Sequence, residues 1–331
     1  MEHENGIVNV IIFENRKGIW TAYVSLMKIF KYLVGTKKYY QIDITEIVNK
    51  TENEVSKIFI EKFGKNPDNI ILFLNKITKL DGLNIPISAK INVIVDDLHQ
   101  KDEDKINKII EFRRCSRIFS TYAYVFHKFY SKDDIGGIPV YNFPHCVNYV
   151  SNFNTNPLEK ILVSGRLNPL IYPFRQKMVE ISKNKEENED VDYLPVDHGY
   201  RISEDKSEYI YGDRYIDYLN KYLVCFTCDS RKETPYIVKK FIEIPASGAL
   251  LLGGNTETKS YFVELGFVDG IHYISASMEN IGEKIKYVLD PKHRPEIDNI
   301  RRNGYELVKS RHLHTHRANL LDDVLNKKLI I

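Results

Sequence analysis

The sequence predicts an α/β protein with two Rossmann-like, doubly wound domains that face a central cleft. Short runs rich in Val, Ile and Leu, such as VNVIIF (8–13) and INVIVDD (91–97), alternate with longer amphipathic stretches. Continuous apolar runs separated by helices are typical of parallel strands that are covered on both faces. The alternation occurs twice, in successive halves of about 150 residues each. With 43% hydrophobic residues, a chain of 331 can supply a core in each half.

The first half begins with the strand VNVIIF and the helix-like run GIWTAYVSLMKIFKYL. It continues with the strands NIILFLN (69–75) and INVIVDD, the run RIFSTYAYVFHKFY and the short strand IPVYNFP, which Pro144 ends. The next segment, CVNYVSNFNTNPLEK, is rich in Asn and Ser and lacks periodicity, which predicts a linker. We therefore expect an N-terminal domain over residues 1–148.

The second half repeats the pattern, and we expect a C-terminal domain over residues 149–315. Its strand KILVSG (160–165) precedes a helix that begins near Pro169, and the strand VDYLPV precedes the helix RYIDYLNKY. The strand LVCFTC then leads to the helix YIVKKFIEIPASG, which begins at about Pro235. The strand ALLLGG, the short run HYISAS and two helices complete the half.

Composition excludes several classes of protein. Lys and Arg (47) nearly balance Asp and Glu (45), so no overall basic field favours a nucleic-acid partner. The N-terminus lacks the features of a signal peptide, and no window approaches 18 uninterrupted apolar residues, so we expect a soluble, cytoplasmic protein. Cys225 and Cys228 form a CxxC without two further zinc ligands at suitable spacing, which favours buried free thiols. The motifs GxSxG, HExxH, GxGxxG and the P-loop do not occur.

Candidate site residues follow the strands, because ligands of open parallel sheets bind beyond the carboxyl ends of the strands. After KILVSG, Gly165 leads into a helix whose free N–H groups, with Arg166 and Arg175, could hold a diphosphate. The alternative is an ordinary turn with solvated arginines. After VDYLPV, Gly199 lies beside His198 and Tyr200, which either contact a ligand or lie on the surface.

Glu243 is the one acidic residue in the stretch KKFIEIPASGALLLGG. We expect it near the C-terminal end of the helix that begins at about Pro235, where burial is costly without a hydrogen-bonding partner. A pair of sugar hydroxyls would satisfy the carboxylate, as in nucleotide sites where an acidic residue binds ribose. An ion pair with Lys239 or Lys240, or a backbone N–H, is the alternative.

Asp96 and Asp97 follow another apolar strand, and adjacent carboxylates could bind a divalent metal together with a sugar diphosphate. Successive strand residues face opposite sides, however, so a helix cap or an acceptor contact is the stronger interpretation. His312, His314 and His316 do not share one helix face, and we predict no metal site there.

The motifs together resemble the GT-B glycosyltransferases, specifically the group-1-like branch that includes the CgeB-type spore-maturation proteins. The resemblance rests on ETPYIVKKFIEIPASGALLLGG (233–254), DHGY (197–200), YLVCFTC (222–228) and HTHRANLL (314–321), and it covers most of residues 160–320. The first half resembles the family in layout, with VDDLH and NFPH as weaker similarities.

The resemblance implies roles for particular residues. Glu243 corresponds to the acid that accepts hydrogen bonds from the donor ribose, and Gly248 corresponds to the C-cap in PASGA. The residues implied in binding the donor are Gly165, Arg166, Arg175, His198, Tyr200, Glu233, Thr234, Lys239, Glu243, Ser247 and Gly248. The family pattern has a second Glu eight positions before Glu243, where this chain has Pro235, and Glu233 is two residues out of register. The resemblance therefore assigns no stereochemical outcome.

The implied fold is GT-B, with the donor held mainly by the second domain and a C-terminal helix (316–331) that returns to the first. The implied activity is hexosyltransferase-like transfer from a nucleotide-diphosphate sugar, carrying UDP or GDP, to a glycan, protein or small-molecule acceptor. No metal or other cofactor is expected. The acceptor side is expected in the first domain, where Asp97, His99 and Glu14 are candidates for the base. The alternatives are a metal-dependent GT-A-type transferase that uses Asp96 and Asp97, and a catalytically silent nucleotide-sugar-binding or scaffold protein.

Overall fold

The structure is a computed structural model that describes residues 6–13, 21–74, 80–96, 98, 102–186, 188–195, 210, 212–230 and 235–326. The chain forms two compact units. The first consists of Met1–Lys17, Leu26–Pro144 and Arg317–Ile331, and the second of Gly18–Ser25 and His145–His316. Each unit contains a parallel sheet with helices, so the predicted fold class is confirmed.

The first unit has a six-stranded sheet in the order β2-β1-β3-β4-β5-β6, with every pair parallel. The strand Asn69–Phe73 is buried from end to end, and Asn9–Phe13 and Lys90–Val95 are buried except for one terminal residue each, which explains their apolar runs. The strands are β1 (Asn9–Phe13), β2 (Tyr39–Asp43), β3 (Asn69–Phe73), β4 (Lys90–Val95), β5 (Arg117–Ser120) and β6 (Val140–Asn142). The helices are α1 (Thr21–Gly35), α2 (Glu52–Phe63), α3 (Asp102–Arg113) and α4 (Ala123–Phe129).

The second unit has a five-stranded parallel sheet in the order β11-β10-β9-β7-β8. Its strands are β7 (Leu158–Ser164), β8 (Val191–Leu194), β9 (Tyr222–Cys228), β10 (Leu250–Gly254) and β11 (Ile274–Ser275). Its helices are α5 (Pro173–Lys183), α6 (Asp213–Leu219), α7 (Lys240–Ser247), α8 (Lys259–Glu264), α9 (Ile281–Leu289) and α10 (Arg294–Arg311). The helix α11 (His314–Leu325) begins in this unit and ends among residues that group with the first.

Two helices begin later than the sequence predicts. The first, α5, starts at Pro173 rather than near Pro169, because residues 165–172 form the turn after β7. The second, α7, starts at Lys240 rather than at about Pro235. Glu243 therefore lies in the first turn of α7, and the prediction that it lies near the C-terminal end is wrong.

The segment predicted as a linker is bonded to the second unit. Ser151 N donates to the carbonyl oxygen of Ala246 (3.2 Å), and Tyr305 Oη donates to the carbonyl oxygen of Ser151 (2.9 Å). Asn154 Nδ2 donates to the carbonyl oxygen of Asn220 (3.0 Å). Asn and Ser residues of this segment form hydrogen bonds with backbone groups of neighbouring elements. The polar composition therefore belongs to an ordered segment.

All four cysteines are buried, as expected for Cys225 and Cys228. No helix within the described residues combines the length and the apolar character needed to cross a membrane.

Candidate active site

The topology of the second sheet places the candidate site between β7 and β9. From β7 the chain moves to β8 on one side and then to β9 on the other, which makes this the point where the strand order reverses. Because all strands are parallel, their carboxyl ends share one edge, and a crevice opens at such a reversal. Gly165 follows β7 at this edge, and Asp229 and Ser230 follow β9.

Gly165 allows two cationic side chains to approach the backbone. Its φ of +114° lies in the region that side chains disfavour. A Cβ at this position would be 2.9 Å from Lys240 Cε and 3.2 Å from Arg175 Cζ. The sequence predicts Gly165 as the start of a phosphate-binding turn, and the structure shows that a Cβ here would require the Lys240 side chain to shift.

Arg175 lies in the first turn of α5 and is 2% exposed. Its Nη1 donates to the carbonyl oxygen of Arg166 (2.9 Å), and its Cζ is 4.2 Å from the centroid of the Tyr172 ring. Within the described part of the chain, its Nε is buried and has no hydrogen-bond partner. Such a buried donor is unfavourable unless a ligand or water satisfies it. Arg166, the other predicted arginine, is exposed.

Lys240 is not among the residues predicted to bind the donor, yet it lies beside Gly165. It is the first residue of α7 and is 4% exposed. Its Nζ is 4.5 Å from the centroid of the Tyr215 ring, and the Tyr215 hydroxyl is 2.6 Å from Ser164 Oγ. A buried lysine keeps its charge only with compensating interactions, and the face of an aromatic ring is one of them. The sequence shows that Lys239 and Lys240 are adjacent. It does not show that α7 begins at Lys240, which directs the two side chains to different places.

Glu243 has its side chain 10% exposed, and its Oε1 is 3.5 Å from Lys239 Nζ, whose side chain is 18% exposed. The predicted alternative of an ion pair with Lys239 is therefore observed. The first turn of a helix also stabilises a carboxylate through the helix dipole.

Ser247 and Gly248 end α7. Ser247 Oγ donates to the carbonyl oxygen of Ile244 (2.6 Å) and accepts from Ala249 N (3.2 Å). Gly248 has φ +80°, and its N–H donates to the carbonyl oxygen of Pro245 (2.9 Å). These contacts explain the small residues of PASGA as a helix C-cap. Contact of either residue with a donor stays a prediction.

A polar cavity of about 180 Å³ lies beside the ends of β9 and β10. Asp229, Glu257 and Ser277 contribute polar groups to its lining, and Phe174 contributes an apolar wall. Asp229 Oδ2 accepts from Thr258 Oγ1 (3.1 Å), and Asp229 N donates to the carbonyl oxygen of Gly254 (2.9 Å). Hydrogen-bonding groups beside an apolar wall suit a hydroxyl-rich ligand.

Several predicted site residues lie outside the described residues, and their roles stay predictions. They are Glu14, Asp97, His99, His198, Tyr200, Glu233 and Thr234. Among the residues that the structure describes, no group of three or more His, Cys, Asp or Glu could hold a metal ion.

Comparison with a family model finds similarity in the C-terminal part of the chain. Residues 189–323 match the family described as glycosyl transferase-like. This range includes β9, α7, β10 and the residues Lys240, Glu243 and Gly248. Comparison with curated proteins gives no match.

Solved structures of low sequence identity share the fold. Anabaena Alr3699/HepE in complex with UDP and glucose has a TM-score of 0.57 at 10% identity, with 97% of this chain and 100% of that chain covered. A putative UDP-N-acetylglucosamine 2-epimerase from Listeria monocytogenes has a TM-score of 0.50 at 13% identity, with 96% of each chain covered. The GtfA/B complex has a TM-score of 0.51 at 11% identity over 83% of this chain, which spans only 60% of that chain.

The two parallel sheets do not favour the metal-dependent GT-A alternative with Asp96 and Asp97. The chain has the fold of the GT-B glycosyltransferases, and its residues 189–323 are similar to the glycosyl transferase-like family.

Proposed function

We propose that this protein transfers a hexosyl group from a nucleotide-diphosphate sugar to an acceptor hydroxyl without a metal ion. The observation that carries the proposal is the buried Arg175, whose Nε has no partner within the described residues at the point where the strand order reverses. The glycosyl transferase-like match over residues 189–323 supports it. The EIPASG motif favours the group-1-like, CgeB-type branch, and we propose UDP first because UDP is bound in the HepE structure.

The donor would lie along the carboxyl edge of the second sheet. Its diphosphate would rest on the turn at Gly165, where Arg175 donates hydrogen bonds and Arg166 adds positive charge from the surface. Its ribose hydroxyls would donate to the Glu243 carboxylate, which Lys239 holds in place. Burial of Arg175 strengthens its interaction with an anion, because few water molecules compete with it.

The reaction breaks the bond between the anomeric carbon and the β-phosphate oxygen, and the electron pair stays on that oxygen. The acceptor oxygen forms the new bond to the anomeric carbon, and its proton passes to a base, for which Asp97, His99 and Glu14 remain our candidates. Negative charge on the departing diphosphate grows in the transition state. Fixed cationic donors at that oxygen therefore accelerate the step, and they do so without a metal ion.

The test is a donor panel on the full chain. UDP-, GDP-, ADP- and TDP-hexoses are incubated with mixed hydroxyl acceptors, with and without EDTA, and products are identified by NMR and mass spectrometry. We expect one nucleotide series to yield nucleoside diphosphate and a new glycoside, unaffected by EDTA. Arg175→Met is expected to weaken nucleoside diphosphate binding about tenfold while nucleoside binding is unchanged. Lys183→Met, an exposed change on the same helix, serves as the control.

Three outcomes would contradict the proposal. Loss of activity with EDTA, restored by Mn²⁺, would overturn metal independence. Nucleotide binding without conversion of any donor would support the catalytically silent alternative. Formation of a free 2-epimer sugar would identify the reaction as epimerisation. The fold is compatible with that reaction, because a putative 2-epimerase has a similar structure.

A further inference from the structure

A hydrogen bond joins helix α1 to the residue that precedes α7. Lys239 Nζ donates to Ser25 Oγ at 2.9 Å, and Ser25 is buried. Both residues belong to the second unit, because Gly18–Ser25 groups with that unit, whereas α1 continues from Leu26 among residues of the first. The start of α1 is therefore bonded to the chain at the beginning of α7.

Lys239 contacts two acceptors at different distances. Its Nζ is 2.9 Å from Ser25 Oγ and 3.5 Å from Glu243 Oε1. A direct hydrogen bond between an ammonium group and a carboxylate is about 2.8 Å long, so the contact with Glu243 is mainly electrostatic, whereas the contact with Ser25 is a hydrogen bond. The shorter contact fixes the position of Nζ. Ser25 therefore determines how Lys239 faces the carboxylate.

The Glu243 carboxylate depends on Lys239 for its position. Among the residues that the structure describes, Lys239 is the one whose side chain pairs with this carboxylate. Both side chains are mostly buried, so water screens their attraction less than it would at the surface. Removal of the ammonium group would let the carboxylate turn toward water, because a desolvated charge is unfavourable without a partner.

We propose that Ser25 and Lys239 are positioning residues: Ser25 fixes Lys239, and Lys239 fixes the carboxylate of Glu243. The inference rests on the proposed function for the ribose contact of Glu243, and it adds helix α1 to the elements that support that contact. It gives Lys239 a different role from the direct donor contact that the sequence predicts, because its Nζ already interacts with Ser25 and Glu243. Loss of either positioning residue weakens ribose binding although neither touches the ribose.

The test measures recognition of the ribose hydroxyls, which a merely structural role would not change selectively. Titration calorimetry on the full chain compares UDP with 2′-deoxy-UDP and 3′-deoxy-UDP for wild type, Ser25→Ala and Lys239→Met. The corresponding series replaces UDP if the donor panel identifies another base. We expect UDP affinity to fall about three- to tenfold in each variant. Affinity for the analogue that lacks the hydroxyl bound by Glu243 should stay within about twofold. Lys239→Arg and Ser25→Thr, which keep the charge and the hydroxyl, should restore part of the UDP affinity.

A mutant cycle tests whether Ser25 acts through Lys239. Ser25→Ala should have little further effect on UDP affinity in the Lys239→Met background, and Lys239→Met should have little further effect in the Glu243→Gln background. Ser182→Ala is the matched control, since Ser182 is also a buried helical serine, and its Oγ donates to the carbonyl oxygen of Val179 (2.8 Å). This control should bind all three nucleotides as wild type does. Circular dichroism establishes folding for each variant, and Lys239→Gln replaces Lys239→Met if the latter does not fold.

Several results would overturn the inference. One is a folded Lys239→Met variant that binds UDP as tightly as wild type. Another is equal weakening of UDP and both deoxy analogues, which would indicate a general structural role. Wild-type protein that binds no nucleoside diphosphate of the panel would overturn it as well. Failure of the proposed function is distinguishable. If sugar transfer occurs but both variants keep wild-type ribose discrimination, the positioning inference fails alone. If ribose discrimination depends on Ser25 and Lys239 but no donor is converted, the inference stands and the transferase proposal fails.

Discussion

Arg301 Nε donates a hydrogen bond to the carbonyl oxygen of Gly248 at 2.9 Å, which joins α10 to the end of α7. The same guanidinium pairs with Asp298 through Nη1 and donates from Nη2 to the carbonyl oxygen of Asn154 (2.9 Å). Burial lowers the pKa of Arg301, and Asp298 opposes that shift. One buried side chain therefore connects the segment around Asn154, α10 and the helix that carries Lys240 and Glu243.

Arg301→Ala is expected to lower the free energy of unfolding by about 2–4 kcal/mol, because it leaves buried carbonyl oxygens without donors. Urea denaturation monitored by circular dichroism measures the change. Arg302→Ala provides the control, since Arg302 is exposed and lies over the Phe153 ring at 4.2 Å. Its cost should stay below about 1 kcal/mol. Equal losses in the two variants would contradict the role of Arg301.

Gly248→Ala is expected to destabilise the protein by about 1–2 kcal/mol, because Gly248 has φ +80°. The added Cβ would also lie 3.1 Å from Phe153 Cδ2. Gly282→Ala in α9 is the matched change, since its Cβ would meet no atom within 4 Å. That substitution should be neutral or stabilising by up to about 1 kcal/mol. A Gly248→Ala variant as stable as wild type would contradict the claim that the backbone at the C-cap disfavours a side chain.

Glu243→Gln tests the proposed ribose contact. We expect affinity for the bound nucleoside diphosphate to fall about tenfold, since a charged acceptor is replaced by a neutral amide. Calorimetry with the ribonucleotide and its 2′-deoxy and 3′-deoxy analogues forms a mutant cycle. The analogue that lacks the hydroxyl bound by Glu243 should bind wild type and Glu243→Gln with equal affinity. Full discrimination against both analogues in Glu243→Gln would show that another group binds the ribose.

His272 is expected to make the free energy of unfolding depend on pH. Burial, followed by the charge of Arg311, lowers the pKa of His272 in the folded state below its ordinary value of 6.5. Its Nδ1 accepts from Val268 N (3.1 Å), which requires the unprotonated nitrogen. The unfolded chain therefore binds the proton more tightly, and stability falls as pH drops below about 6.5.

The contribution of His272 is isolated by comparing wild type with His272→Gln. The measured quantity is the midpoint of urea denaturation over pH 5–7.5. We expect the wild-type midpoint to fall more steeply on acidification than that of the variant, with the difference confined to the region below about 6.5. Parallel curves would contradict the effect.

The sequence determined the fold class and part of the candidate site. Buried parallel strands are largely apolar, as β9 and β10 are, so their positions are evident from local composition. Gly165 and Arg175 follow β7 closely, and the carboxyl end of a strand is a site that chain order alone predicts. The C-cap at Gly248 has an equally local cause, since its positive φ favours glycine.

Tertiary contacts determine where α7 begins, and the start of α7 determines which lysine lies beside Gly165. The sequence predicts a helix from about Pro235, but the backbone between Pro235 and Lys239 bonds otherwise: Tyr236 N donates to Ser230 Oγ, for example (3.2 Å). If the start of a helix shifts by a few residues, every following side chain changes direction. The sequence therefore does not show whether Lys239 or Lys240 lies beside Gly165. The partners of the segment after Pro144 were likewise hidden, because Arg301 and Tyr305 are about 150 residues away in the chain.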